Sequence, residues 1–180
     1  MRRVSLPRTR IAMSVVLCRV RRMSDVYELA ISVDLRDELS EPESAELRWH
    51  LGIGPQPERL SVVTEFPIVV EDEAGEPVIE NEPRPLLAGS GAARRIGGVL
   101  GSALVGRADL PWKGWSLTSR QEIHPDDFDR IGELLCWLAE RVHDTHRHGG
   151  DVVSIGHLRF HESLTPEVIE VANGRITWPA

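Results

Sequence analysis

Residues 26–43 read VYELAISVDLRDELSEPE, and this stretch decides the fold because it holds a strand and the start of a helix. From Val26 to Leu35 apolar and polar side chains alternate, which is typical of a strand with one buried face. Ser40 stands three residues before Glu43, the spacing of a capping box, in which each side chain accepts a backbone N–H from the other residue. The sequence therefore predicts a half-buried strand followed by a helix over Glu41–Leu51.

The strongest helical pattern lies in the second half of the chain, after a strand predicted over Trp115–Ile123. His124 and Pro125 suit the first positions of a helix, and the aspartates that follow place negative charge at its positive end. The apolar residues recur every three or four positions, so one stripe faces the core: Phe128, Ile131, Leu135, Leu138 and Val142. This helix is predicted to end before Gly149.

Turn residues divide the rest of the chain into strands. Gly75 suits the turn of a hairpin, and Asn173-Gly174 between two alternating runs is the strongest short hairpin signal in the sequence. Pro67 requires an edge position or a bulge in its strand because it has no N–H to donate. Further strands are predicted over Leu60–Val70, Val78–Ile79, Ile96–Val105, Asp151–Phe160, Val168–Ala172 and Arg175–Trp178.

These elements indicate an α+β fold with a mostly antiparallel sheet, two main helices on one face and added hairpins. A strand, a helix and a strand follow one another from Val26 to Val70 and again from Trp115 to Phe160. This double β-α-β order resembles the ferredoxin-like superfold, which implies that both helices cover the same face of the sheet. The resemblance is one of element order, and it implies no activity because such folds carry many unrelated functions.

Charge divides the chain at Met23. Residues 1–22 contain seven arginines and no acidic residue, whereas residues 23–180 contain 14 basic and 28 acidic residues, a balance of 14 − 28 = −14. Since chain termini are often disordered unless tied down, we expect residues 1–22 to be a disordered basic extension. Residues 23–180 are then one acidic α+β domain.

Three interpretations of residues 1–22 are open. The first, which we favour, is an over-long translation start, with Met23 opening the functional protein. The second is a basic arm for a membrane or nucleic acid. The third is a signal peptide, which the short apolar stretch Ile11–Cys18 and the arginines after it disfavour.

Composition disfavours several classes of protein. No apolar run reaches the roughly 20 residues of a membrane-spanning helix. The acidic body argues against nucleic acid as a partner, because phosphate binding needs clustered positive charge. Two cysteines, Cys18 and Cys136, make neither a disulfide framework nor a metal knuckle. These features favour a cytoplasmic protein.

Two surface features are candidates for protein interaction. The first is the predicted acidic hairpin, which carries Glu71, Asp72, Glu73 and Glu76. The second is a loop with a tryptophan on each side of Lys113-Gly114, since exposed tryptophans are typical interface anchors: Trp112 and Trp115. The alternative, which we favour for these two residues, is that Trp115 packs into the core while Trp112 covers a sheet edge, because large aromatic side chains are mostly buried. Acidic surfaces steer association with cationic partners, so a basic protein is the expected partner.

Histidines form the one cluster of candidate metal ligands. Five of the seven fall between His143 and His161. If the end of the second helix lay beside the next strand, imidazoles from both would suit Zn²⁺, Ni²⁺ or Cu²⁺: His143, His146, His157 and His161. Histidines in a last helical turn also simply cap it, and this spacing matches no established ligand pattern.

Two functions from different classes follow. The first, which we favour, is a non-enzymatic interaction or regulatory domain of the immunity or adaptor type, without a cofactor and without catalytic residues. The alternative is a metal-dependent or small-ligand-binding sensor or enzyme that uses the histidine cluster.

Overall fold

The computed structural model describes residues 25–108, 111–149 and 151–179, so the predicted extension over residues 1–22 lies outside the described residues. Short 3₁₀ turns precede and follow the second helix, at Pro125–Asp127 and Asp144–His146. The strands and α-helices are, in chain order, β1 (Tyr27–Leu35), α1 (Glu41–His50), β2 (Pro67–Glu71), β3 (Pro77–Asn81), β4 (Gly91–Ala92), β5 (Val99–Gly106), β6 (Trp115–Ile123), α2 (Phe128–Arg141), β7 (Arg147–His148), β8 (Val152–Phe160), β9 (Glu167–Ala172) and β10 (Arg175–Thr177).

Eight of these strands form one large sheet in the order β10-β9-β8-β1-β6-β5-β4, with β7 beside β8. All pairings in it are antiparallel. The central strand β1 pairs with β6 along its whole length, from Tyr27 opposite Ile123 to Leu35 opposite Trp115. The predicted α+β class with a large antiparallel sheet is therefore confirmed.

One face of this sheet is buried and the other is open. In β1 the side chains of Leu29, Ile31 and Val33 are buried, while Ser32 between them is exposed. The buried side chains of α1 and α2 belong to the same apolar cluster as this inward face. An antiparallel sheet tolerates water on its other face, where Thr118 is exposed.

Helix α1 begins as the sequence predicts. The Ser40 N–H donates to Glu43 Oε2 (2.9 Å), and the Glu43 N–H donates to Ser40 Oγ (3.4 Å), so the predicted capping box is confirmed. Ser40 Oγ also donates to Glu43 Oε2 (2.7 Å), and this hydrogen bond together with the one from the Ser40 N–H lowers the pKa of Glu43 to about 2. Neither described helix is long and apolar enough to cross a bilayer.

Helix α2 ends at Arg141, well before the predicted end near Gly149. The chain leaves the helix to pair with the end of β1: the His143 N–H donates to Asp34 O (2.8 Å), and the Arg36 N–H donates to Arg141 O (2.9 Å). Backbone groups that would have continued the helix therefore form hydrogen bonds with the end of β1 instead.

The strand predicted over Leu60–Val70 is wrong in its first half. Only Pro67–Glu71 is extended strand, and it pairs with β3 rather than with the large sheet. The first predicted β-α-β unit thus does not end in a strand of the large sheet. Residues 61–63 have another partner for their backbone N–H groups, the carboxylate of Glu46.

The C-terminal hairpin between β9 and β10 is confirmed. Its turn residues Asn173 and Gly174 have φ angles of 51° and 69°. A two-residue turn of this kind needs positive φ at both positions, which Asn and Gly tolerate best.

Candidate interaction site

The hairpin of β2 and β3 forms a two-stranded sheet of its own, separate from the large sheet. Asp72 fixes its turn, because Oδ1 accepts hydrogen bonds from the N–H groups of Ala74 (2.8 Å) and Glu76 (2.9 Å). Gly75 supplies the left-handed backbone, with φ of 80°. Of the four acidic residues predicted to interact here, Asp72 therefore also shapes the turn.

The two faces of this hairpin differ in exposure. Val69 and Ile79 lie opposite each other on one face and are 73% and 76% exposed. Pro67 and Pro77 share that face and are exposed too, and we call these four residues the exposed hairpin face. The apolar side chains of the other face are half-buried: Ile68, Val70 and Val78.

Acidic side chains surround the exposed hairpin face. Residues 65–82 contain no Lys or Arg. None of the acidic residues in this range forms a salt bridge within the described part of the chain. We call this set the acidic rim, and its members, all exposed, are Glu65, Glu71, Asp72, Glu73, Glu76, Glu80 and Glu82.

The base of the hairpin is fastened to the body. Asn81 Oδ1 accepts the N–H of Phe66 (2.6 Å), and Asn81 Nδ2 donates to Thr64 O (3.2 Å). Phe66 is buried, with its ring centroid 6.3 Å from that of Trp49 in α1. The hairpin therefore projects from a base that is packed into the core.

A buried carboxylate holds the chain that leads into this base. Glu46 of α1 is fully buried, and its oxygens accept the N–H groups of Ser61 (2.5 Å), Val62 (2.9 Å) and Val63 (3.0 Å). Ser61 Oγ donates to the same carboxylate (3.0 Å). We call this arrangement the Glu46 clamp. These hydrogen bonds satisfy the backbone N–H groups of residues 61–63, which have no strand partner.

His50 lies one turn after Glu46 and is also fully buried. Its Nε2 is 3.7 Å from Glu46 Oε1, and neither ring nitrogen has a hydrogen-bond partner among the described residues. Burial lowers the pKa of His50 from 6.5 to about 4, against the opposing effect of Glu46. His50 is therefore neutral at pH 7.

Trp112, predicted as an interface anchor, is 43% exposed at the end of β1. The guanidinium of Arg107 lies 5.2 Å from its ring centroid, and the His143 ring stacks on it at 5.5 Å. Arg107 in turn forms an ion pair with Asp34. These contacts orient Trp112. None of them involves the residues that fasten the hairpin, Thr64, Phe66 and Asn81.

Trp115, the second predicted anchor, is partly buried and packs against the core cluster. The guanidinium of Arg48 lies 5.4 Å from its ring centroid. The structure thus places only the first of the two tryptophans on the surface as an exposed aromatic group.

The four histidines predicted as metal ligands lie beside different positions along β1. His146 Nε2 accepts the N–H of Asp34 (3.0 Å), and burial lowers the pKa of His146. His143 lies in the same turn, whereas His157 is paired with Ala30 and the N–H of His161 donates to Val26 O. At 3.4 Å per residue, Ala30 in β1 and Val26 just before β1 are about 14 Å and 27 Å from Asp34.

The structure therefore brings His143 and His146 together and leaves His157 and His161 apart from them. No group of three His, Cys, Asp or Glu side chains in the described ranges has an arrangement that could hold a metal ion. The metal site stays a prediction without a structural argument.

Sequence reasoning missed Glu46 and His50. Their only signal is the spacing of a carboxylate and an imidazole four residues apart on a helix, which usually marks a solvent-exposed pair. The partners of Glu46 lie about 15 residues away in a segment without secondary structure, so no pattern in the sequence points to them.

Comparison of the chain with protein-family models, with curated proteins and with solved structures gives no match. The function is therefore argued from the surfaces themselves.

Proposed function

We propose that this chain is a non-enzymatic protein-interaction or regulatory domain whose hairpin docks a basic partner protein. The observation that carries this proposal is that one hairpin combines an exposed apolar face with acidic residues that have no salt-bridge partner within the described residues. Protein interfaces typically have an apolar centre inside a polar rim. The carboxylates of the acidic rim favour a partner with Lys and Arg around an apolar centre.

The partner is expected to contact the face of the hairpin rather than its edges. The Asp72 N–H donates to Glu76 O (3.0 Å), so the backbone N–H and C=O groups at even positions of β2 and β3 bond between the two strands. By alternation, the outward positions of β2 and β3 include Pro67 and Pro77. Because proline has no N–H, each edge lacks a donor that an added strand would need, a common protection of natural edges.

Neutralising three residues of the acidic rim is expected to weaken partner binding about ten-fold or more, since each lost rim charge removes attraction to a cationic surface. The variant combines Glu71→Gln, Glu73→Gln and Glu76→Gln, and it keeps Asp72 so that the turn still forms. The measurement is quantitative mass spectrometry of proteins captured from a native lysate by the full chain, with the variant and the wild type compared side by side.

A matched control changes the same number of charges elsewhere, with Glu38→Gln, Glu133→Gln and Glu167→Gln. These three residues are exposed. The proposal requires basic proteins whose recovery falls with the hairpin variant and not with the control. An identical set of captured proteins for wild type and hairpin variant would contradict it.

We propose a cytoplasmic protein that does not bind nucleic acid, which the acidic body and the absence of a disulfide framework in the sequence support. We also propose a ferredoxin-like core. In it β5, rather than the strand predicted over Leu60–Val70, is the second strand of the first β-α-β unit. The order β8-β1-β6-β5, with α1 after β1 and α2 after β6, supports this arrangement.

A further inference from the structure

The outer edge of β5 is long and uncharged, and most of it has no strand partner among the described residues. The short strand β4 pairs only with Val99 and Leu100, so no described strand lies beside Gly101–Gly106 on that side. The sequence from Ile96 to Gly106 contains neither a charged residue nor a proline. Val105, at the end of this strand, is 61% exposed.

The ladder shows which backbone groups on this edge are free. The Arg107 N–H donates to Gly114 O (2.8 Å), so residues at odd positions of β5 bond to β6. The Ala93 N–H donates to Gly98 O (2.9 Å), so even positions point toward β4. Beyond β4, the N–H and C=O groups that point outward without a strand partner in the described chain belong to Ser102, Leu104 and Gly106.

Other strand edges of the molecule carry protection. Strands β2 and β3 each begin with proline and lie among acidic residues. The far edge of the large sheet is β10, which is only 3 residues long and begins with Arg175. Natural proteins use short strands, charges and proline to prevent edge pairing, and the β5 edge has none of these.

We propose that the β5 edge is a self-association surface, on which a second copy of this chain adds its own β5 in antiparallel orientation. The free groups are spaced evenly about Leu104, so a two-fold axis beside this residue pairs Leu104 with Leu104 of the second copy. The same axis pairs Ser102 with Gly106 in both directions. Each such pair exchanges two backbone hydrogen bonds, and the interface is isologous.

The side chains also match under this two-fold axis. Ala103 of one copy lies directly opposite Val105 of the other, on the open face of the sheet. Such directly opposed apolar pairs stabilise antiparallel strands. Because the edge is uncharged, two acidic copies meet there without direct repulsion, which favours a second copy over a charged partner. The interface is small, so the dimer dissociates readily.

Sedimentation equilibrium of the full chain, from low micromolar to near-millimolar concentration, tests this proposal. Gly106→Pro removes an outward N–H and no bond to β6, and a Cβ at this position would be 3.6 Å from the Trp115 ring, an ordinary contact. Ala103→Lys places a charge beside the edge at an exposed position. Each change is expected to raise the dimer dissociation constant about ten-fold or more.

Ser32→Lys is the matched control, because Ser32 is exposed on the same face but lies in the central strand β1. It should leave the dimer intact. Amide hydrogen exchange at Leu104 and Gly106 should slow as the protein concentration rises. The proposal is overturned if the wild type stays monomeric throughout, if Gly106→Pro associates like the wild type, or if Ser32→Lys disrupts association, which would indicate packing through the sheet face.

Discussion

Replacing Glu46 with alanine is expected to lower the free energy of unfolding by roughly 3 kcal/mol, because it leaves the buried N–H of Val63 and the partly buried N–H groups of Ser61 and Val62 without their acceptor. The carboxylate accepts three consecutive backbone N–H groups, and the last of them, on the fully buried Val63, has no access to water. Loss of the clamp also loosens the chain that leads to Phe66 and the base of the hairpin. Urea unfolding at pH 7 measures the change.

Two further variants make this result specific. Glu46→Gln keeps the shape and one acceptor oxygen, so it should lose less stability than Glu46→Ala and still fold if the alanine variant does not. Glu133→Ala removes an exposed carboxylate from α2 and should change stability by no more than about 0.5 kcal/mol. If the free energy of unfolding of Glu46→Ala lies within about 1 kcal/mol of the wild-type value, the Glu46 clamp does not hold residues 61–63 as described.

Acid is expected to destabilise the protein by roughly 3 kcal/mol through His50 alone, at 1.36 kcal/mol per pH unit between its ordinary pKa of 6.5 and its folded value of about 4. The unfolded chain binds a proton at His50 in this pH range, whereas the folded protein does not. Stability therefore rises with pH across this window. The contribution is complete above pH 6.5 and is lost as the pH falls to about 4.

The variant His50→Leu isolates this effect. The ring nitrogens of His50 have no hydrogen-bond partner within the described residues, so replacing the ring with an apolar side chain of similar size leaves no donor or acceptor unpaired. Free energies of unfolding at several pH values from 7 to 4 should fall less steeply for this variant than for the wild type. His157→Leu removes an exposed imidazole and serves as the control. Parallel pH curves for the wild type and His50→Leu would show that His50 is not buried in neutral form.

The parts of the fold that the sequence predicted correctly depend on neighbours in the chain. The alternation along β1, the capping box at Ser40 and the turn at Asn173-Gly174 each work within a few residues, so their signals are complete in the sequence. The acidic hairpin was predicted for the same reason, since its turn and its charges are adjacent in the chain.

The features that the sequence did not reveal depend on distant partners. Leu60–Val63 has the composition of a strand, but the Glu46 carboxylate accepts the N–H groups of Ser61, Val62 and Val63, and the segment is a loop of which only Val63 is buried. Helix α2 stops at Arg141 because β1 bonds to the residues beyond it. The same limit applies to the histidines, whose separation along β1 follows from strand register rather than from spacing in the sequence.

The most direct test of the central claim is site-specific photo-crosslinking in native cells from the exposed hairpin face. A photoreactive residue at Ile79 is compared with one at Leu164, which is 97% exposed and far from the hairpin in sequence. We predict adducts with basic proteins from position 79, lost when Glu71, Glu73 and Glu76 are changed to glutamine, and no such adducts from position 164. Equal crosslinking from both positions, or adducts from position 79 that persist in the neutralised hairpin, would contradict the account.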